Sequence, residues 1–316
     1  MKSILVTGGC GFIGVNLVSR LVRQGVRVRV LDNLSLGRRE YVEPFGVELA
    51  VGDVRDPAAV AKAVEGMDSV IHLAAHTRVM DSISDPRLNF EINVVGTLNV
   101  LQASKDAGVQ TFILASTGGA IVGEREPPVH EEMVPRPISP YGASKLAGEA
   151  YCSAFHGSFG LNTVALRFSN VYGPHSYHKG SVVAQFIKQA LRREPLVIYG
   201  DGTQTRDFLY VEDLADAICA YANAGAAGTA GEVFQMGSGR ETTINEIAAM
   251  IKSQSAKVGL DVPIVHEPAR RGEIYRNYAD IGKARTALGF DPKTSLNDGV
   301  AATLAWFQRN WADPAK

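Results

Sequence analysis

Ile4-Leu5-Val6 runs directly into Thr7-Gly8-Gly9-Cys10-Gly11-Phe12-Ile13-Gly14, and beyond this stretch the hydrophobic period changes. The apolar run reads as a short strand. After the glycines, Phe12, Ile13, Leu17, Val18, Leu21 and Val22 recur at the spacing of one helix face. Strand, glycine turn and helix in that order open a dinucleotide-binding unit. Gly8, Gly11 and Gly14 let the chain turn sharply, approach a pyrophosphate closely and pack helix on strand. The helix N-terminus offers unpaired N–H donors and partial positive charge to phosphate oxygens. Gly8, Gly11, Phe12 and Ile13 are the cofactor contacts this turn predicts.

The chain then repeats the unit. Val26–Leu31 reads as a second strand ending at Asp32, which lies 18 residues after Gly14. A carboxylate about 20 residues on is placed for the adenosine ribose. It would accept from both ribose hydroxyls and repel a 2′-phosphate, which predicts NAD rather than NADP. Asn33 follows at the same edge, and Arg38 and Arg39 read as a solvated loop. Val47–Val51 is a third strand ending at Gly52-Asp53-Val54. Asp53 is placed for the adenine amino group, or as a cap for a helix beginning at Pro57, and Val54 lies beside it. Asp68–Ala75 reads as a fourth strand, whose closing Leu73, Ala74 and Ala75 let a cofactor lie against the backbone. His72 within it reads as a packed core histidine.

One helical pattern covers 86–107, with Asn93 among apolar neighbours and in need of a hydrogen-bonding partner. Thr111–Ala115 is a fifth strand, followed by Ser116-Thr117-Gly118-Gly119. Four strand–helix units without a hairpin predict a parallel, doubly wound sheet. Ligands of such sheets bind at the carboxyl ends of the strands, where Gly8, Asp32, Asp53, Ala74 and Thr117 all fall.

Ser139-Pro140-Tyr141-Gly142-Ala143-Ser144-Lys145 supplies reactive groups. Tyr141 and Lys145 share a helix face at i and i+4, with Pro140 suited to the first turn. A free phenol has a pKa of about 10. The neighbouring ammonium is expected to lower it, so that the pair exchanges a proton with an alcohol while a nicotinamide exchanges a hydride. Asn162–Phe168 is a sixth strand. Further on, Val182–Leu191 reads as a helix, and Leu196–Tyr199 and Arg206–Val211 as short strands around Gly200-Asp201-Gly202. Helices follow near Asp213–Ala222, Thr243–Ser253, Asp280–Leu288 and Leu296–Trp311. The expected division is a dinucleotide-binding domain over 1–170 and a smaller mixed α/β lobe over 171–316, with segments free to interleave.

Composition narrows the partners. The 316 residues are 46% hydrophobic and 21% charged, and the formal net charge of -1 provides no basic field for nucleic acid or an anionic membrane. No apolar run reaches the roughly 18 residues of a membrane span. Cys10, Cys152 and Cys219 form neither a zinc spacing nor a disulfide framework, so no metal is expected. A strand pattern beginning at Ile4 leaves no room for a signal peptide, and the cytoplasm is the expected compartment.

Together these motifs resemble the extended short-chain dehydrogenases/reductases. Further marks are Asp32-Asn33-Leu34-Ser35, Arg167-Phe168-Ser169-Asn170-Val171-Tyr172-Gly173-Pro174, Ile198-Tyr199-Gly200-Asp201-Gly202 and Arg206-Asp207-Phe208. They are most similar to the nucleotide-sugar branch, the UDP-glucose 4-epimerases and UDP-glucuronate 4-epimerases, over essentially the whole chain. The resemblance implies a Rossmann-type domain, NAD, a UDP-sugar substrate and commonly a homodimer. It implies that Tyr141 is the acid/base, that Lys145 tunes it and holds the nicotinamide ribose, and that Ser116 or Thr117 meets the sugar 4-hydroxyl. Asn93 then contacts cofactor, and Asn170, Val182, Arg206 and Arg270 contact substrate. The implied reaction oxidises C4 transiently to a 4-keto sugar and returns hydride to the opposite face. Two departures stand out: Gly118 replaces a catalytic serine of many epimerases, and Val122 replaces a tyrosine. In 4,6-dehydratases and decarboxylases an acid follows the Ser/Thr, whereas Gly118-Gly119 follow here. Another nucleotide-sugar enzyme, such as one of these or a reductase, and a non-catalytic NAD sensor are the alternatives. Asn277 falls near a position that limits bulk at C2 of the sugar. For a uronate carboxylate, His175, His178, Lys179 and Arg192 are candidates, with solvent exposure the simpler expectation for each.

Overall fold

A computed structural model describes residues 2–225, 227–269 and 275–310. Six strands follow the sequence pattern: β1 (Ser3–Thr7), β2 (Arg27–Asp32), β3 (Glu48–Val51), β4 (Ser69–His72), β5 (Thr111–Thr117) and β6 (Asn162–Phe168). They form a parallel sheet in the order β3-β2-β1-β4-β5-β6, closed at the β6 edge by Glu232–Met236. The sequence pattern does not predict that seventh strand. Its Val-Phe-Gln-Met core is short, but Gly231 and Gly237 flank it, and this punctuation is the available signal. Because it returns from beyond residue 170, the sheet draws on both halves of the chain.

Both sheet faces are covered. The Phe12–Arg23 helix packs beside the Val211–Ala224 helix on one face, around Val6, Leu17, Leu21, Leu214 and Ile218. On the other, Leu5, Val70, Leu101, Phe112 and Phe155 form a separate core. Strands buried on both faces read as continuous apolar runs, which is why the sequence exposed them clearly. A third core, containing Phe186, Ile198, Ile247 and Phe307, belongs to the C-terminal region.

Several local expectations change. The fourth strand stops at His72, leaving Leu73, Ala74 and Ala75 in the loop beyond it. The helical pattern over 86–107 is Pro86–Phe90, a π-helical stretch Glu91–Val95, then Gly96–Asp106. The apolar stretch expected over Arg206–Val211 breaks at Asp207, and Val211 already opens a helix. The Asp207 carboxylate turns inward and accepts from Ser238 N–H (2.7 Å) and Oγ (2.8 Å), Gly239 N–H (3.1 Å) and Ala279 N–H (3.2 Å). A buried carboxylate needs such partners. Leu196–Tyr199 pairs in parallel with Ile264–Glu267, and Phe208–Tyr210 with Asn170–Tyr172. Trp311 and the tail after it lie outside the described residues.

The helix Pro140–Phe159 lies against β5 and β6. Ser139 caps it through Gly142 N–H (3.2 Å), and Pro140 takes the first helical position, as its fixed φ favours. Glu149, two turns below Tyr141 and almost fully buried, receives Arg167 of β6 through two bonds of 2.9 and 2.8 Å. Removing one partner of a buried pair strands the other charge in low dielectric. Glu149→Ala should therefore cost about 3–5 kcal/mol, and Glu149→Leu with Arg167→Met should recover most of it. Urea unfolding of the wild type and both variants measures this, and equal loss in both variants would contradict it.

Candidate active site

The glycine turn is built for close approach. Gly8 has φ +69°, and a Cβ there would stand 2.8 Å from Ala74 N. A Cβ on Gly14 would collide with the Gly8 carbonyl. Only glycine serves at either position. Cys10 N–H (3.0 Å) and Leu34 N–H (2.8 Å) donate to the two Asp32 oxygens, fixing the carboxylate at the end of β2. Burial raises its pKa, and these two bonds oppose the shift. A cradle without side chains at a helix N-terminus, with an oriented carboxylate beyond it, fits a dinucleotide. Phe12 and Ile13 open the helix that would face the pyrophosphate.

Asp53 lies at the same edge but does not cap the next helix. Asp56 does, through Ala58 N–H (2.9 Å) and Ala59 N–H (3.3 Å). Asp53 instead receives Arg55 (2.9 Å) and the Asn33 amide (3.0 Å), and Arg55 holds its carboxyl well below the usual range. Val54 is buried and its carbonyl accepts from Asn99 (3.0 Å). His72 is a core residue, as expected: it lies between Thr7 Oγ1 (2.7 Å) and Thr97 Oγ1 (3.1 Å), and burial lowers its pKa to about 3.

Asn93 finds its partners across the cleft floor. Its Oδ1 accepts from His76 N–H (2.7 Å), while Nδ2 donates to His76 O (3.0 Å) and Ser144 Oγ (3.0 Å). It thereby ties the loop after β4 to the Tyr141 helix. Thr97 Oγ1 donates to the Asn93 carbonyl (2.6 Å), within the irregular π-helical stretch.

The two hydroxyls at the end of β5, which extends through Thr117, divide. Ser116 Oγ donates to Glu149 Oε1 (2.6 Å) and is buried, so it belongs to the Glu149–Arg167 pair rather than to the cleft. The Thr117 side chain instead faces the Tyr141 phenol and lowers its pKa. A Cβ on Gly118 would meet the Gln235 amide and one on Gly119 the Asn277 amide, so a side chain at either position requires that amide to shift. No sequence spacing brought Gln235 or Asn277 to this place.

The electrostatics differ from the simple pair. Burial pushes the Tyr141 phenol up to about 12, with Thr117 opposing. Lys145, also buried, is pushed down to about 8, with Glu149 raising it and Lys179 lowering it. Its Nζ donates to Ala115 O (2.9 Å). The ammonium is not among the groups that shift the phenol here, so the expected lowering of the Tyr141 pKa by Lys145 does not hold in the protein alone. Desolvation outweighs it.

The remaining site residues lie where the C-terminal region meets the sheet. Asn170 is exposed, and its N–H donates to Asp207 O (2.9 Å). Val182 opens the Val182–Leu191 helix, and Arg206 Nη1 donates to Thr205 O (2.7 Å). Arg270 lies outside the described residues. No group of metal-ligating side chains occurs among the described residues, and no described helix is long and apolar enough to cross a membrane.

Known proteins share this architecture. Residues 4–237 match the NAD dependent epimerase/dehydratase family. A putative UDP-glucose 4-epimerase of Methanocaldococcus jannaschii is 37% identical, over 97% of this chain and 99% of its own length. The UDP-glucose 4-epimerase of Thermotoga maritima, solved with UDP-glucose, superposes with TM-score 0.92 at 36% identity, covering 98% of this chain and 100% of that one. That of Thermus thermophilus, solved with NAD, gives TM-score 0.89 at 37% identity, with the same coverage. More distant relatives include a dTDP-glucose 4,6-dehydratase of Streptomyces niveus, 33% identical over 99% of this chain and 95% of its own. With the glycine cradle, the carboxylate of Asp32 and the Tyr141–Lys145 helix at one sheet edge, the chain belongs to the NAD dependent epimerase/dehydratase family of extended short-chain dehydrogenases/reductases.

Proposed function

We propose that the chain is an NAD-dependent UDP-sugar 4-epimerase that interconverts UDP-glucose and UDP-galactose or the corresponding uronates. The observation that supports it best is the pairing of Tyr141 with Thr117 at the end of β5, followed by two glycines against which the Gln235 and Asn277 amides pack. A dehydratase or decarboxylase needs a positioned acid after the hydroxyl, and this chain offers none there. A non-catalytic sensor would not need Tyr141 and Lys145.

NAD, when bound, would supply the hydride acceptor and a positive charge. Gly8, Gly11 and Asp32 would hold its adenosine diphosphate half, and Lys145 the nicotinamide ribose. Tyr141 takes the C4 hydroxyl proton and later returns it, and Thr117 is the hydroxyl that orients the reacting oxygen. Ser116 acts only from beneath, through Glu149. The uridine diphosphate anchors the substrate while the sugar ring presents either face, so that binding energy far from C4 aligns the reacting atoms. Asn170, Val182 and Arg206 would contribute to that anchor.

Incubation with each of the four sugars, with anomeric signals followed by NMR, tests the assignment; no new anomer from any of them would sink it. Tyr141→Phe should lower kcat by about 10²–10⁴ with NAD still bound, and Thr117→Val should lower kcat markedly. Ser116→Ala should leave kcat within about threefold, because its hydroxyl faces away from the cleft.

The phenol titration can be read directly. A difference spectrum between wild type and Tyr141→Phe, both without cofactor, should show no tyrosinate from residue 141 below about pH 10, the ordinary tyrosine value. Tyrosinate appearing near neutral pH would contradict the dominance of burial.

A homodimer fits the exposed apolar side chains of Met80 (70% exposed), Ile83 (53%) and Phe90 (49%), on two short helices that pack against the Tyr141 helix. Met80→Asp with Ile83→Asp should shift the protein from dimer to monomer in sedimentation velocity. A wild type that sediments as a monomer would refute the dimer.

A further inference from the structure

Solvent exposure is the simple expectation for Lys179, but the structure turns it inward. Its backbone sits in a braced loop. Ser176 Oγ donates to Gly173 O (2.6 Å), Lys179 N–H to Ser176 O (2.8 Å), and Lys188 Nζ to the carbonyls of Tyr177 and Lys179 (3.1 Å each). The Tyr177 ring stacks on Trp306, with centroids 6.1 Å apart and planes 10° apart. The ammonium that results is half-buried and, among the described residues, hydrogen-bonds Thr77 Oγ1 alone, at 3.5 Å. Thr77 is fixed in turn, because the backbone of the preceding His76 is held by Asn89 and Asn93.

The charge around this ammonium is of one sign. Arg78 lowers the pKa of Lys179 beyond the effect of burial, and Lys179 lowers that of Lys145. Lys188 and Arg78 act in the same sense on neighbouring His178. Asp81, three residues after Arg78, lies by Arg78 (3.9 Å) and His76 (3.5 Å). Among the described residues, no carboxylate pairs with Lys179. A desolvated cation beside other cations, with one weak neutral contact, is unfavourable until an anion arrives. Through Thr77, and then His76 and Asn93, which bonds Ser144, it connects to the Tyr141 helix.

We propose that Lys179, supported by Thr77, binds an anionic oxygen of the nucleotide-sugar substrate, either a carboxylate on the sugar ring or the diphosphate. The proposal rests on the nucleotide-sugar reading above, and it makes Lys179 a specificity-determining residue. A charge-assisted bond from a lysine to a carboxylate or phosphate is strong enough to change affinity by about tenfold or more.

Calorimetric titration of UDP, UDP-glucose and UDP-glucuronate onto NAD-loaded wild type, Lys179→Met and Lys179→Arg tests it by binding, independently of turnover. If the contact is to the sugar carboxylate, Lys179→Met should weaken UDP-glucuronate alone by about tenfold or more. If it is to the diphosphate, all three ligands should weaken alike. Lys179→Arg should retain most of the affinity in either case. The methionine variant removes a poorly compensated charge, so its melting temperature should not fall. Binding of all three ligands within about twofold of wild type by Lys179→Met overturns the proposal, as does a wild type that binds none of them. Wild-type binding without turnover would instead count against the epimerase reading while leaving the Lys179 contact measurable.

Discussion

The site depends on one buried carboxylate. Glu149 draws Ser116 down from β5 and Arg167 across from β6, and so clamps the Tyr141 helix to the ends of both strands. With Ser116 held beneath the sheet edge, the alternation of the strand sends Thr117 the other way, toward the phenol. The same seating brings Lys145 Nζ onto the Ala115 carbonyl. Three consecutive residues of β5 are therefore committed to one helix, each through a different group. A pair of charges this deep need not stabilise the fold relative to an apolar pair. What it does fix is which hydroxyl faces the cleft.

Burial acts in opposite directions on the two reactive groups. It favours the neutral phenol and the neutral amine, which places Tyr141 at about 12 and Lys145 at about 8. In the protein alone burial holds Tyr141 as the neutral phenol.

The departure at Gly118, and Gly119 beside it, lies against distant parts of the chain. Gln235, from the strand that closes the sheet, and Asn277, from a later loop, fill the space that side chains at 118 and 119 would need. Asp207 joins the same region by accepting from 238, 239 and 279. The glycine pair and the C-terminal region are thus one packing solution: the short helix Gly118–Val122 that follows β5 opens without side chains and receives two amides from elsewhere.

The parallel sheet, the glycine cradle, Asp32 and the Tyr141–Lys145 helix were all legible along the chain. They rest on local spacing: buried apolar runs, glycines where no Cβ fits, and an i,i+4 pair. Their common placement at the strand ends followed from the handedness of strand–helix–strand crossovers. The rest came only with three-dimensional packing. It assigned Ser116 to Glu149 and Thr117 to Tyr141, placed Asp56 rather than Asp53 at the helix start, returned Glu232–Met236 to the sheet, and turned Lys179 inward beside Thr77. Each of these is set by partners far away in the chain or by the degree of desolvation. Neither is encoded in spacing, because both arise only when separate segments exclude water from the same volume.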